Sequence, residues 1–343
     1  MKRIHDKLQH LIAKEVRTRH TRSVLLGVQT GDRTVDFRGA AGEVSPDSPY
    51  FVASIAKMFT ATVVMQLVDE GTLNLDEPIQ TYLSHLPLDG IHVYKGVDYS
   101  QHLRVYHLLH QTSGLPDCFA GGLVEDFKRN QDRSYSVEDV LEMARNAAPF
   151  AAPDSGKSHY SDTNYQLLGA LLEAITEQPL AEGFQARIFG PLGMADSYLF
   201  DSSKPRPVEP LPAYYNDTRL SLPLAITSER GTGGAVSTVS DTLRFLRGFF
   251  GGQLFEKAHF ERMMQWTPMF FPMQYGYGIW RYQLPRWATL FRASPEFIGH
   301  AGVWGAMAFY SPEHDLYIAG TLNQLDKPAR QFQLMPRIVS ALT

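Results

Sequence analysis

The sequence predicts an α/β fold of the α+β type: an antiparallel sheet built from both ends of the chain, flanked by terminal helices, with a mainly helical subdomain between its two halves. Three observations carry this expectation. Strand-like runs occur early (Ser23 to Val28, Thr34 to Phe37) and return late (about Tyr275 to Tyr282, Trp304 to Tyr310 and Asp315 to Asn323). Between them, roughly Gln80 to Arg247 alternates helical patterns with loops carrying Pro and Gly, and shows little of the period-2 alternation of strands. Each terminus also carries a helical apolar pattern.

At the N-terminus Ile4, Leu8, Leu11 and Ile12 recur at helical spacing among Arg, Lys and His, which predicts an amphipathic helix lying on the sheet. The two early strands flank Thr30-Gly31-Asp32-Arg33, a hairpin in which Gly31 can supply the positive φ. After a loop with Pro46, Asp47 and Pro49, Ser54 to Glu70 is mostly apolar and is closed by Gly71, suited to a left-handed C-terminal cap, so this helix is expected to be buried on most sides. Lys204 to Pro223 holds Pro205, Pro207, Pro210 and Pro212 beside Tyr214 and Tyr215, the composition of a long ordered loop that walls a cleft. Phe332, Met335, Ile338, Val339 and Leu342 predict a final helix. The expected organisation is one domain over 1–343, with a sheet subdomain at 1–52 and 270–343 holding at least five strands, and a helical subdomain at 53–269.

Composition narrows the function. With 343 residues, 44% of them apolar and 20% charged, the chain can bury a large core. A net charge of -4 and a pI near 6.3 argue against sequence-independent nucleic-acid binding, which needs a concentrated basic face, and favour a small-molecule or peptide substrate. Cys118 is the only cysteine, so no intrachain disulfide forms. Met1-Lys2-Arg3 is followed by His5, Asp6, Lys7, Gln9 and His10 rather than an apolar export segment, and no apolar run has membrane-spanning length; cytoplasmic residence is the expectation, or export if a leader has been removed.

Ser54 and Lys57 stand three apart at a predicted helix start, so both project from one face. A serine hydroxyl is a poor nucleophile without a neighbouring base, and a lysine desolvated among Ile55, Met58 and Phe59 can serve as one. The helix N-terminus adds backbone N–H groups suited to an oxyanion. Further along come Pro153-Asp154-Ser155-Gly156, then Tyr160-Ser161-Asp162 leading into Thr163-Asn164-Tyr165-Gln166-Leu167-Leu168-Gly169, and later Gly299-His300-Ala301-Gly302-Val303. Between and around them lie His110-Gln111-Thr112-Ser113-Gly114-Leu115-Pro116, Gly190-Pro191-Leu192-Gly193-Met194, Gly233-Gly234-Ala235-Val236-Ser237-Thr238 and Tyr275-Gly276-Tyr277-Gly278.

In this order the motifs resemble the S-x-x-K, Y-x-N and K-T-G or H-x-G elements of the serine β-lactamase and DD-peptidase superfamily: class C β-lactamases, family VIII esterases and penicillin-binding proteins. The likeness runs from about Phe51 to Asn323. It implies a β-lactamase/transpeptidase-like fold, an acyl-enzyme on Ser54, Lys57 and Tyr160 as proton-handling partners, an oxyanion hole from the N–H groups of Ser54 and Val303, and substrate contacts from Asp162, His300 and Gly302. Substrates implied are short-chain esters, D-amino-acid peptides or β-lactams.

Three positions depart from the pattern. Asp162 stands where the family usually has Asn; a carboxylate there loses a donor and favours the ammonium form of Lys57, so either Tyr160 carries more of the base role or Asp162 selects a substrate bearing an amine. A rival alignment through Ser161-Asp162-Thr163-Asn164 resembles the S-D-N of class A enzymes but has one residue too many. His300 replaces a lysine and offers a substrate carboxylate a weaker clamp, which tilts towards an esterase or peptidase. Gln111 replaces a histidine, read as a loop-packing change. No zinc, phosphate-loop or G-x-S-x-G motif is present, and no cofactor is implied. The alternative is a non-hydrolytic sensor or scaffold on the same fold.

Overall fold

In the computed structural model, which describes residues 2–121, 123–289, 294–326 and 329–342, both chain ends enter one eight-stranded sheet. Its strands are β1 (Val24–Thr30), β2 (Asp36–Ala41), β3 (Thr267–Pro268), β4 (Met273–Tyr275), β5 (Trp280–Tyr282), β6 (Phe297–Ala301), β7 (Ala306–Ser311) and β8 (Leu316–Thr321). They lie in the order β3-β4-β5-β6-β7-β8-β1-β2 with antiparallel neighbours throughout, and Leu26 faces Gly320 across the seam between the two chain ends. The principal helices are α1 (Lys2–Val16), α2 (Ala56–Asp69), α3 (Asp162–Thr176), α4 (Val239–Gly251) and α5 (Arg330–Leu342).

β1 reads as a continuous apolar run because both of its faces are covered. Val24, Leu26 and Val28 pack with Leu8 and Ile12 of α1 and Leu334, Met335 and Ile338 of α5. Leu25 belongs to the opposite core with α2 and α4, where Gly27 lets Val239 and Leu243 approach: a Cβ there would stand 2.4 Å from Val239 Cγ1. The two terminal helices are also tied by buried Glu15, which accepts from Arg330 and Arg337 at 2.6 Å each. Among the described residues no helix is long and apolar enough to cross a membrane.

The early hairpin forms, with different turn chemistry from that expected. Arg33, not Gly31, takes the positive φ (59°), and Asp32 closes the turn by accepting from Thr34 N at 3.0 Å. Glycine is needed at 31 for another reason: a Cβ would collide with the carboxylate of Asp315, whose backbone oxygen accepts the Gly31 N–H at 2.8 Å. Gly71 does cap α2, with φ +70°.

A second, three-stranded sheet joins the end of the N-terminal segment to the helical region: Tyr50–Phe51, Ala235–Ser237 and Tyr198–Leu199, with Ala235–Ser237 in the middle. Strands of two or three residues have no period to read, so sequence reasoning passed over them. They anchor the turn that follows Phe51. The Pro-rich loop is pinned near its middle: Leu211 N donates to Pro49 O at 2.8 Å, and Asn323 Nδ2 donates to Pro212 O at 2.6 Å.

Candidate active site

Ser54 sits on a 3-10 turn, Ala53–Ile55, between the Tyr50–Phe51 strand and α2. The turn is pinned to the small sheet by Val52 N donating to Ala235 O at 3.0 Å. Ala53 holds φ +49°, a left-handed conformation that costs an L-residue about 1–2 kcal/mol and persists only where the surroundings enforce it. Gly302, just beyond β6, leaves room for that conformation: a Cβ on it would lie 2.5 Å from Val52 O and 2.9 Å from Ala53 Cβ. The glycine thus accommodates the backbone bearing the serine.

Lys57 lies on the first turn of α2 and is 0% exposed. Its Nζ donates to Ser54 Oγ at 3.1 Å, Asp162 Oδ1 at 2.5 Å and Thr232 O at 2.9 Å. All three ammonium hydrogens are therefore used, which is what a buried cation requires.

Tyr160 precedes α3 on a loop held by Gln111. Gln111 Oε1 accepts from Ser161 N at 2.9 Å and from Asn164 Nδ2 at 2.5 Å, and its backbone oxygen accepts from His159 N at 2.8 Å. Gln111 therefore positions the Tyr160 loop, beyond the packing role expected for it. The Tyr160 ring lies 5.1 Å from Lys57 Nζ and is boxed by Tyr275 and Trp280 at 5.9 Å and His300 at 6.2 Å. Burial, then the charge of Asp162, pushes its hydroxyl well above the ordinary tyrosine range, against a lowering hydrogen bond with Ser54. The phenol therefore keeps its proton at neutral pH.

His300 is 0% exposed, and its ring packs 4.8 Å from that of Trp280. Its Nδ1 lies 2.8 Å from Ala301 O, and burial, with the nearby Lys57 charge, lowers its pKa to about 3. It is neutral and supports the aromatic box rather than the cavity. Val303 is exposed at the cavity edge.

The cavity at Ser54 has a volume of about 130 Å³. Phe119, Phe127, Ile226, Trp304 and Leu325 make its apolar wall; Asp117, Asp162 and Glu229 are its charged lining. Asp117 and Glu229 were not singled out in the sequence, although one directly follows Gly114-Leu115-Pro116 and the other precedes the Gly231 to Gly234 run. Asp117 Oδ1 accepts from the N–H groups of Phe119 and Asp162 at 3.1 Å, and Glu229 Oε2 accepts from Thr232 Oγ1 at 2.8 Å. Burial, reinforced by the charge of Asp162, raises Asp117 to about 7 and Glu229 to about 8. Among the described residues no group of three or more His, Cys, Asp or Glu is arranged to hold a metal ion. A second cavity of about 240 Å³, lined by Pro210 and Pro212 of the Pro-rich loop, shares Ile226 and Trp304 with the first.

Comparison with known proteins agrees with this geometry. Penicillin-binding protein 4 of Amycolatopsis lactamdurans is 33% identical over 160 residues, 47% of this chain and 38% of that protein. A putative D-alanyl-D-alanine carboxypeptidase of Escherichia coli O157:H7 is 26% identical over 325 residues, 84% of this chain and 72% of the relative. The chain thus spans well under half of the first relative's length. Among solved structures, a D-stereospecific amidohydrolase from Streptomyces sp. is 24% identical with a TM-score of 0.79 and 98% coverage of both chains. D-amino acid amidase from Ochrobactrum anthropi SV3 is 23% identical with a TM-score of 0.81, covering 97% of this chain and 99% of that one. These structures share the fold, an antiparallel sheet with flanking helices. The Beta-lactamase family model matches residues 8–342, nearly the whole length, and this chain accordingly belongs to the beta-lactamase family.

Proposed function

We propose that the chain is a serine hydrolase that opens an amide or ester bond through an acyl-enzyme on Ser54. The observation that carries the reading is the buried Lys57 Nζ, 3.1 Å from Ser54 Oγ and 2.5 Å from Asp162 Oδ1. In this sequence of steps, Lys57 passes one proton to Asp162 along the short hydrogen bond, and the resulting amine takes the Ser54 proton as the oxygen attacks the carbonyl carbon. The Ser54 and Val303 N–H groups hold the oxyanion. Tyr160 gives its proton to the departing amine or alkoxide and regains one from Lys57, and water then releases the acyl group by the reverse relay.

The carboxylates support an amide or ester without a carboxylate near the reacting carbonyl. Penicillin-type substrates carry an anion, and neutral, buried His300 offers it no clamp, while the cavity lining holds acids and, among the described residues, no cation to receive it.

The test is incubation with a fluorophosphonate probe, p-nitrophenyl esters and a chromogenic cephalosporin, followed by mass analysis. The expected result is an adduct on Ser54, ester turnover well above cephalosporin turnover, and loss of both adduct and turnover in Ser54→Ala. No adduct and no turnover with any of them would instead favour a non-hydrolytic binder.

A further inference from the structure

The polar and apolar parts of the Ser54 cavity are arranged in a way that the hydrolase reading alone does not explain. Its charged lining is three carboxylates, and among the described residues none of the lining side chains is basic. The nearby cation, Lys57, has already committed its three hydrogens to Ser54, Asp162 and Thr232. Among the described residues, Asp117 Oδ2, Asp162 Oδ2 and Glu229 Oε1 take no hydrogen bond from the protein. The carboxylates also do not form a metal-holding group. Three carboxylates against a single, already committed lysine leave the site with an excess of acceptor oxygens and negative charge, beside an apolar wall of Phe119, Phe127, Ile226, Trp304 and Leu325.

Resting on the acyl-enzyme reading, we infer that this cavity takes the acyl half of the substrate, and that this half is an apolar α-amino acid with a free, protonated α-amine. The ammonium sits among Asp117, Asp162 and Glu229, the side chain lies against the apolar wall, and the scissile carbonyl meets Ser54. Three magnitudes fit. The α-nitrogen is two bonds from the carbonyl carbon, and Lys57 Nζ links the nucleophile (3.1 Å) to a carboxylate (2.5 Å), so the acid is within two hydrogen bonds of the reacting centre. The cavity, about 130 Å³, is close to the ~150 Å³ of an engineered cavity that admits benzene, enough for a ring or branched aliphatic side chain. A charge-assisted hydrogen bond to a desolvated carboxylate is worth roughly 10- to 150-fold, so losing the amine forfeits a large part of the recognition. The substrate class is thus an amino-acid amide, an amino-acid ester or the N-terminal residue of a peptide.

The experiment compares hydrolysis by the full chain of phenylalanine amide and leucine amide, in both hands, with their N-acetyl forms, with 3-phenylpropionamide, and with 6-aminohexanamide, whose amine is remote. The inference expects at least one free amino-acid amide to exceed the acetylated, des-amino and remote-amine compounds by 100-fold or more in kcat/KM. It also expects Asp117→Asn and Glu229→Gln each to shrink that preference tenfold or more, chiefly through KM. Ser54 labelling with the fluorophosphonate probe separates the two levels. A labelled enzyme that hydrolyses acetylated or des-amino compounds as fast as free amines, or no amino-acid amide at all, overturns the inference and leaves the hydrolase reading intact; an unlabelled, inert enzyme removes that reading itself. Should a variant fail to fold, the wild-type comparison alone decides.

Discussion

Glu229→Gln tests the electrostatics of the cavity without reference to any substrate. Glutamine keeps an oxygen for Thr232 Oγ1, 2.8 Å from the present carboxylate, and removes the charge. Burial and the charge of Asp162 raise Glu229 from 4.5 to about 8, so between those values the native state binds a proton that the unfolded state has lost. Stability supplied by that proton is fully present below about pH 4.5 and is lost as pH rises through 8. One unit corresponds to about 1.4 kcal/mol, and the whole shift to on the order of 5 kcal/mol. Burial is the largest cause of the shift and a glutamine amide must still be desolvated at the same place, so roughly half of this, about 2–3 kcal/mol, returns when Glu229 is neutralised. With about 2.1 cal/mol/K of unfolding entropy per residue, that is a rise in Tm of about 3–4 °C at pH 8, shrinking towards nothing at pH 5. Thermal melts of both proteins at pH 5, 6, 7 and 8 measure it. The difference between the two proteins also cancels the contributions of His92, His107, His110 and His300, whose values are lowered mainly by burial and which act in the opposite sense, losing stability as the pH falls through 6.5. A gain independent of pH, or a loss of stability at pH 8, would refute the reasoning.

Two further substitutions probe how the reactive groups are held. Gln111→Ala removes the acceptor shared by Ser161 N and Asn164 Nδ2, leaving buried donors unpaired at about 1–3 kcal/mol; ester turnover should fall 10- to 100-fold through kcat with KM little changed, as stopped assays at saturating substrate would reveal. A fall confined to KM would show that the Tyr160 loop is not what Gln111 positions. Ala53→Gly relaxes the left-handed turn before the nucleophile and should raise or preserve Tm while slowing Ser54 labelling severalfold; unchanged labelling would mean that the strain has no part in presenting the hydroxyl.

Local features were legible in the sequence where short-range geometry fixes them. Ser54 and Lys57 meet because three residues of helical chain bring their side chains together, and Gly71 ends α2 because a left-handed cap follows the last apolar turn. The two-ended sheet was legible because strand character recurs at both ends of the chain. Other features depend on tertiary context. Gly31 looked like the turn residue, but only the packing of Asp315 shows why it is glycine. The facing of His300 was hidden because every residue of β6 is buried, so no alternation marks one side as substrate-facing. Asp117 and Glu229 resemble any surface acid in sequence and come together only when the segment after Pro116 and the C-terminal end of the Pro223–Ser228 helix close over Asp162.

The departure at Asp162 links these strands of argument. A carboxylate 2.5 Å from Lys57 balances the buried ammonium, yet its charge also raises both Asp117 and Glu229. A protein selected for stability alone would neutralise that cluster, since one lysine cannot balance three acids in a partly dry cavity. Retaining all three is consistent with a ligand that supplies the missing charge: a bound ammonium would lower the affinity of the acids for protons and convert their mutual repulsion into attraction for the substrate. The residues that weaken the free enzyme above neutral pH are then the residues that choose its substrate, a trade of stability for recognition. On that view amine binding and proton release are one linked event, and the pH at which the free enzyme loses stability is also the pH at which its cavity becomes most receptive to a cation.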